Sequence, residues 1–242
     1  MVETLVWITG ASSGLGAALA ASVPYPNAHV VSISRSPGGA SSEHLPADLA
    51  DPSAWSAVET HLLVRMAAFA GSRVVFLHNA GTIDPIGFAG EVEFAAYRNN
   101  VLLNSAAGQV LGHAFLTAVA GAGFTGAVTL AMISSGAASS PYPGWSAYSA
   151  GKAALDHWVR AVGEEQRTRG SNVSVLSIAP GVVSTPMQAT IRDSHVENFP
   201  HVEKFHDLHN QGRLQDPAEA AAAVWNVLRR DLPAGTVTDI RT

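Results

Sequence analysis

The chain contains no cysteine, few charged residues and no long hydrophobic run. Without cysteine, disulfides, zinc–thiolate centres and cysteine nucleophiles are excluded. Its 14 lysines and arginines form no cluster, whereas a nucleic-acid-binding surface needs grouped positive charge. No apolar run reaches the roughly 18 residues that span a membrane, and the N-terminus lacks the basic region and cleavage site of a secretory signal. These absences predict a cytoplasmic protein that binds neither nucleic acid nor membranes.

The composition that is present suits a large buried core. The chain has 242 residues, of which 47% are hydrophobic, and this length fits a single α/β domain over residues 1–242. Apolar strand-like runs alternate with helix-like segments along the whole sequence. This alternation predicts a doubly wound, Rossmann-type parallel sheet of about seven strands with helices on both faces. In such sheets ligands bind beyond the carboxyl ends of the strands.

A glycine-rich loop follows the first predicted strand, Thr4–Thr9. The loop reads Gly-Ala-Ser-Ser-Gly-Leu-Gly and leads into an alanine-rich helix. Glycines there permit a tight turn and a close approach of the backbone to a pyrophosphate, and the helix N-terminus favours the negative charge. The alternative is a glycine-rich turn that binds nothing. The loop predicts cofactor contacts by Gly10, Ser12, Ser13, Gly14, Leu15 and Gly16.

The end of the second predicted strand, Ala28–Ser34, indicates which nicotinamide cofactor is used. NAD-specific domains carry an acidic residue there that binds the ribose hydroxyl, but this sequence reads Ser-Ile-Ser-Arg-Ser. Arg35 suits a 2′-phosphate, and Ser34 could add a hydrogen bond. The sequence therefore predicts NADPH as cofactor; the alternative is a solvated arginine at the start of a loop.

Three candidate catalytic side chains occur between positions 135 and 152. Ser135 follows a predicted strand, and Lys152 follows Tyr148 by four residues, which places both on one helical face. A lysine ammonium beside a phenol favours the phenolate, and a tyrosine tuned in this way can exchange protons near neutral pH. We therefore expect Lys152 to lower the pKa of Tyr148. The spacing alone is common in helices, so the interpretation depends on the cofactor motifs.

Taken together, these motifs resemble the short-chain dehydrogenase/reductase family over essentially the whole chain. The matching residues are Thr9, Gly10, Gly14, Gly16, Asp48, Asn79, Ala80, Gly81, Ser135, Tyr148, Lys152, Pro180, Gly181, Val183 and Thr185. One departure is His78, where many members have asparagine; that position is typically structural.

The resemblance implies a role for each matching residue. Tyr148 would protonate the carbonyl oxygen as hydride arrives, Lys152 would lower the tyrosine pKa and bind the nicotinamide ribose, and Ser135 would bind the substrate carbonyl. Asn104 would hold a water on a proton-relay path, with Asn100 one turn earlier as the alternative. The remaining implied cofactor contacts are Asp48 and Leu49 at the adenine, Val183 and Thr185 at the carboxamide, and, elsewhere along the cofactor, Asn79, Ala80, Gly81, Pro180 and Gly181.

The substrate end is predicted more coarsely. The sequence around Tyr148, the short C-terminus and the Ser-Arg pair after the second strand are similar to sepiapterin-reductase-like and benzil-reductase-like members of the family. Trp145 either lines the pocket beside an aromatic substrate or is a packing residue at the start of the helix. The segment 187–215 is the predicted substrate lid, within which Met187, Phe199 and Phe205 are candidate substrate contacts. Its four histidines predict polar lid residues and no metal site.

The function expected from the resemblance is reduction of a small-molecule ketone by NADPH, either a vicinal diketone or a pterin-type or aromatic carbonyl. A 3-oxoacyl or sugar-alcohol dehydrogenase would use the same residues. A non-catalytic protein that senses NADP is a third reading, although it need not keep the three catalytic side chains. Family members commonly pair through the two longest helices, so a homodimer or homotetramer is expected.

Overall fold

A single parallel sheet forms the centre of the molecule in the computed structural model, which describes residues 2–241. Residues 1 and 242 of the predicted domain lie outside this range. The sheet has strand order β3-β2-β1-β4-β5-β6-β7, and every neighbouring pair is parallel. The strands are β1 (Thr4–Thr9), β2 (Ala28–Ser34), β3 (Glu43–Pro46), β4 (Arg73–His78), β5 (Ala127–Ile133), β6 (Val173–Ala179) and β7 (Thr236–Asp239). The predicted doubly wound sheet is confirmed.

Eight helices connect or follow the strands within residues 2–241. They are α1 (Gly14–Ala21), α2 (Trp55–Ala68), α3 (Phe94–Val101), α4 (Ala107–Gly121), α5 (Ser146–Thr168), α6 (Pro186–Arg192), α7 (Val202–Asn210) and α8 (Pro217–Leu228). Short 3-10 turns at Pro52–Ala54 and Gly136–Ala138 precede α2 and α5. Asp216 caps α8 by accepting the amide of Ala218 at 2.8 Å, as expected of an aspartate before a helix-starting proline.

The two faces of the sheet carry separate apolar layers. Alternate residues of β1 point to opposite sides, so Trp7 packs with α2, α4 and α5, whereas Ile8 packs with α1 and α8. Trp7 and Phe115 meet edge to face with ring centroids 5.9 Å apart, and Trp225 on α8 is 1% exposed. Helices therefore cover both faces, and the strand ends stay accessible at the edge where ligands bind in this architecture.

Two segments show detail that the sequence does not predict. One or two helices are expected between Glu91 and Ala120, and the structure has two, α3 and α4, joined by a wide π-helical turn, Leu102–Ala106. The segment 187–215 looks polar and irregular in sequence but contains α6 and α7, whose apolar residues turn inward. Short amphipathic helices such as α7 give a weak sequence signal because only a few turns carry the pattern.

The strand order reverses between β1 and β4, which lie side by side at the centre of the sheet. Thr9 and His78 are paired at their carboxyl ends, and each is followed by a loop at the same edge of the sheet. The crevice at this reversal is where open α/β sheets bind ligands. Within residues 2–241, no helix combines the length and apolar character needed to cross a bilayer.

Candidate active site

A cleft of about 880 Å³ opens above the carboxyl ends of the strands. It gathers nearly every site residue proposed from the sequence, although they come from loops far apart in the chain. Those that line it are Gly10, Ser12, Ser13, Gly14, Leu15, Gly16, Ser34, Arg35, Asp48, Leu49, Asn79, Ala80, Gly81, Ser135, Trp145, Tyr148, Lys152, Pro180, Gly181, Val183, Thr185, Met187 and Phe205. Asn104 and Phe199 do not line it.

The glycine loop and the turn after β4 are fastened to each other. The hydroxyl of Thr9 accepts the backbone amides of Asn79 and Ala80, both at 3.0 Å, and the Asn79 side chain donates to the carbonyls of Thr9 and Gly10. Gly16 makes this contact possible, since a Cβ there would lie 2.1 Å from the Gly10 carbonyl oxygen. The loop thus presents a smooth backbone at the start of α1.

The side of the cleft formed by β2 and β3 carries Arg35 and Asp48. Arg35 is exposed at the end of β2, and no carboxylate within residues 2–241 lies within 4 Å of its guanidinium. Asp48 is exposed, and its carboxylate accepts the amide of Ala50 at 3.1 Å. The hydroxyl of Ser34 donates to the carbonyl of Ser36 at 2.7 Å, so it shapes this turn. Arg35 is the cation offered to a ligand at this side.

Ser135 and Tyr148 meet at the centre of the cleft. Ser135 caps the 3-10 turn after β5, where its hydroxyl oxygen accepts the amide of Ala137 at 3.2 Å. Tyr148 lies in the first turn of α5 and is 8% exposed, and its phenol lies on the same cleft as the Ser135 side chain. Burial raises the pKa of the Tyr148 phenol, and the Ser135 hydroxyl opposes this rise. At neutral pH the phenol therefore holds its proton.

Lys152 lies one turn further along α5 and is 3% exposed. Its ammonium donates to the carbonyl of Ile133 at 2.9 Å and lies 5.9 Å from the centroid of the Tyr148 ring. Burial lowers the pKa of Lys152 to about 8, while the negative charge of Asp156 raises it. Burial of the phenol is the largest effect on the Tyr148 pKa, and the Lys152 ammonium is directed at a backbone carbonyl. That Lys152 lowers the pKa of Tyr148 stays a prediction.

Asn104 is fully buried in the π-helical turn, beneath the floor of the cleft. Its side chain accepts the amide of Thr82 at 3.1 Å and donates to the carbonyl of Thr82 at 2.7 Å. A second donated bond, 2.8 Å long, joins it to Asn100, which is also buried. Both asparagines therefore fix the loop after β4, and Asn104 is the one that packs against Gly81 and Gly151. Single π-helical turns are frequent at functional sites.

His78 lies below this loop and is fully buried. Its Nδ1 is 3.1 Å from the hydroxyl of Thr9, and because that hydroxyl already accepts two amides, its proton is directed at the imidazole. Burial and the charge of Lys152 lower the pKa of His78 to about 3. The imidazole is neutral at pH 7, which agrees with a structural position beneath the site.

Aromatic side chains form the opposite end of the cleft. Trp145 is 5% exposed and stacks on Phe199, with centroids 4.4 Å apart and planes inclined by 8°. Phe205 lies 5.2 Å and Tyr142 4.9 Å from the Trp145 ring. Phe199 is completely buried and supports Trp145 from behind, so its predicted contact with substrate does not fit this geometry.

Several lining residues were not singled out in the sequence. They are Thr82, Ile83, Tyr142, Gln188, Lys204, Asp239 and Arg241, together with neighbours of the motifs. Asp239 ends β7, so the rule that parallel strands end at the ligand edge could have identified it. No pattern in the sequence identifies Lys204 on α7 as a lining residue. Its ammonium donates to the Tyr142 hydroxyl at 2.6 Å and so links the loop before α5 to the segment 187–215.

Comparison with known proteins supports the resemblance found in the sequence. The family model described as short chain dehydrogenase matches residues 4–195. Benzil reductase ((S)-benzoin forming) of Bacillus subtilis is 33% identical over 237 residues, which cover 97% of each chain. Sepiapterin reductase of Rattus norvegicus is 31% identical over 163 residues, covering 66% of this chain and 59% of the relative.

A solved structure assigned as an NAD(P) dependent gluconate 5-dehydrogenase, from Beutenbergia cavernae with NADP bound at low occupancy, is 28% identical. It superposes with a TM-score of 0.77 over 98% of this chain and 94% of its own. Sheet order, cleft and relatives agree with the resemblance to the benzil and sepiapterin reductases. The chain is an oxidoreductase that belongs to the short chain dehydrogenase family.

Proposed function

We propose that the protein is an NADPH-dependent carbonyl reductase that acts on a vicinal diketone or a related aromatic carbonyl. The observation that carries this proposal is that Ser135, Tyr148 and buried Lys152 line one cleft beside the aromatic wall at Trp145. A proton donor, a second hydroxyl and a cation then face one side of a bound carbonyl. Bound NADPH would supply the hydride, and the protein side chains would supply the proton and orient the carbonyl.

The cofactor end of the cleft fits a dinucleotide phosphate. A Cβ at Gly16 would strike the loop backbone, so the loop stays bare where a pyrophosphate would lie, against the amides at the start of α1. Exposed Arg35 would bind the 2′-phosphate, because a guanidinium pairs with phosphate through two parallel hydrogen bonds. Asp48 and Leu49 would contact the adenine. The rest of the cofactor would be contacted by Asn79 to Gly81 and by Pro180 to Thr185.

Tyr148 would hold the transferred proton on its phenol oxygen. Because burial raises its pKa, the phenol is protonated at neutral pH and can donate to a carbonyl oxygen as negative charge develops there. The hydroxyl of Ser135 would donate a second hydrogen bond to the same oxygen, which orients the carbonyl and stabilises its charge.

Lys152 would stabilise the tyrosinate that remains after the proton has left. With a pKa of about 8, its side chain is charged at pH 7, and an opposite charge nearby favours the phenolate. We assign the relay role to Asn104, because its π-helical turn packs under both Gly81 and Gly151 beside Lys152. Asn100 would then secure the loop through the carbonyl of Asp84.

The substrate class follows from the aromatic end of the cleft. Trp145, Tyr142 and Phe205 present ring surface close to Tyr148, and flat aromatic groups pack well against such rings. The segment 187–215 contributes Met187 and Phe205 to this surface, which supports its role as the lid. The benzil and sepiapterin reductases named above support a carbonyl next to an aromatic or conjugated group.

The direct test is loss of NADPH absorbance with a panel of carbonyl substrates. We expect turnover with benzil and 1-phenyl-1,2-propanedione, slower turnover with sepiapterin, and a much lower rate with NADH. Preferred reduction of 3-oxoacyl thioesters or oxidation of sugar alcohols would point to the other dehydrogenase activities of the family. NADPH binding without turnover on any carbonyl would point to a sensing protein and contradict the proposal.

A cytoplasmic location and a homodimeric or homotetrameric assembly complete the proposal. The assembly rests on the resemblance to the family, whose members commonly pair through long helices. Fractionation of the native cell and light scattering of the purified protein would test them.

A further inference from the structure

Asp156 is a buried acid that the proposed chemistry leaves unused. It lies on α5 four residues after Lys152, on the same helical face, and is 8% exposed. Its Oδ1 accepts the hydroxyl of Ser177 on β6 at 2.6 Å, and Ser177 is itself fully buried. Lys152, Asp156 and Ser177 thus form a line that runs from the cleft into the space between α5 and the sheet.

A carboxylate in such a place needs a compensating charge. Moving an ionised group out of water is unfavourable unless it is hydrogen-bonded and paired, and Ser177 offers only a neutral hydroxyl. Within the described part of the chain, no cation lies within 4 Å of the Asp156 carboxylate. The buried cation on its face is Lys152, one turn nearer the cleft.

The buried Lys152 ammonium, in turn, needs a negative charge nearby. The titratable groups around it are Tyr148 and Asp156 on α5 and His78 on β4. Tyr148 and His78 are both neutral at pH 7, and the remaining contact of the ammonium is the Ile133 carbonyl. Asp156 is the member of this group that brings negative charge, and it opposes the effect of burial on the Lys152 pKa.

We propose that Asp156 is a positioning residue whose buried carboxylate, anchored by Ser177, keeps the Lys152 ammonium charged in a site with little water. It acts through Lys152 and does not touch substrate or cofactor. Its kinetic consequence rests on the proposed function, because a charged Lys152 is what stabilises the tyrosinate. Its electrostatic consequence, the protonation of Lys152, can be measured without turnover.

The composition of the chain makes this measurement direct. Lys152 and Lys204 are its two lysines, so protein labelled with ¹³C at the lysine ε-carbon gives two side-chain signals. Lys204→Arg removes one signal and assigns the other. In the wild-type protein we expect the Lys152 signal to titrate near pH 8.

Asp156→Asn keeps the shape and the bond from Ser177 but removes the charge. We expect the Lys152 midpoint to move to lower pH by roughly half to one unit, since the Asp156 carboxylate and the Lys152 ammonium are not in direct contact. The matched control is Glu165→Gln, which removes one negative charge from an exposed site on α5 about 20 Å from Lys152. It should leave the Lys152 midpoint in place. Asp156→Glu should restore it.

Equal Lys152 midpoints in the wild-type protein and Asp156→Asn would overturn the proposal. If the asparagine variant does not fold, Asp156→Leu gives the same test, because a buried charge replaced by an apolar side chain of similar size is commonly tolerated. The alkaline limb of kcat/KM for carbonyl reduction should shift to lower pH with the midpoint. A shifted midpoint without carbonyl turnover in the wild-type protein would refute the proposed function and leave the role of Asp156 standing.

Discussion

The two ends of the cleft are built in different ways. The cofactor end consists of backbone and small side chains at strand ends, held by short hydrogen bonds such as those from Asn79 and Ala80 to Thr9. The substrate end is a side-chain cluster in which Trp145, Phe199 and Phe205 from separate segments pack around one another. Backbone geometry therefore determines the cofactor end, whereas side-chain shape determines the substrate end, and substitutions should affect the two independently.

The largest effect is expected where the two ends meet. Tyr148→Phe keeps the ring in the aromatic cluster but removes the proton donor, and general acid catalysis is typically worth about 10²–10⁴-fold in rate. We expect a loss of kcat of that size with benzil and an unchanged dissociation constant for NADPH, measured by cofactor fluorescence. Tyr25→Phe, on the opposite side of the sheet, is the matched control and should behave as wild type. A Tyr148→Phe variant that keeps wild-type kcat would contradict the assignment.

The next effect is expected at the cofactor end alone. Arg35→Ala should raise the dissociation constant of NADPH by about 10- to 100-fold, since hydrogen bonds to a charged group are worth about 1.5–3 kcal/mol, and should leave that of NADH unchanged. Titration of both cofactors measures this. Arg160→Ala, an exposed arginine on α5, should change neither constant. An unchanged ratio of NADPH to NADH affinity in Arg35→Ala would refute the 2′-phosphate site.

A smaller effect should be confined to the substrate end. Trp145→Ala removes a ring that stacks on Phe199, so we expect KM for benzil to rise roughly tenfold, by about 1.5 kcal/mol of lost aromatic contact, with NADPH affinity unchanged. Loss of a buried tryptophan also destabilises the protein, so Trp158→Ala on α5 is the control. It should lower Tm without changing KM. Equal changes in KM for both variants would remove Trp145 from the substrate surface.

The smallest effect tests the link between the lid and the loop before α5. Tyr142→Phe removes the hydroxyl that binds Lys204, and such an exposed contact is worth at most about 1 kcal/mol. We expect a two- to threefold rise in KM for benzil, roughly 0.5 kcal/mol, from steady-state kinetics. Lys204→Met should give a similar rise, and the double variant no more than either single one. Additive effects would show that the two side chains act separately.

The same division explains what could be predicted from the sequence. The alternation of strands and helices and the cofactor end follow from local patterns, because Gly10 to Gly16 and Asn79 to Gly81 lie directly at strand ends whose positions the apolar runs reveal. The relation between Tyr148 and Lys152 follows from helical spacing, although the balance of burial and charge that sets their pKa values does not. That balance depends on how deeply the folded chain buries both groups, an effect that Ser135 opposes at Tyr148 and Asp156 opposes at Lys152.

The substrate end could be predicted only in part. Trp145 was a candidate because it adjoins Tyr148, but its stacking on Phe199 depends on how α6 and α7 fold back over the sheet. Phe199 was chosen for its apolar character, which equally suits a residue that supports the wall from within. Asn104 lies in a π-helical turn, and no spacing in the sequence distinguishes such a turn from a regular helix.

The most direct test of the central claim follows the hydride itself. Benzil is incubated with the protein and NADPH deuterated at the transferred position of C4, and the product is analysed by mass spectrometry and NMR. The account predicts benzoin that carries one deuterium on its carbinol carbon, formed by the wild-type protein and not by Tyr148→Phe. Benzoin without deuterium, or formed equally well by Tyr148→Phe, would contradict it.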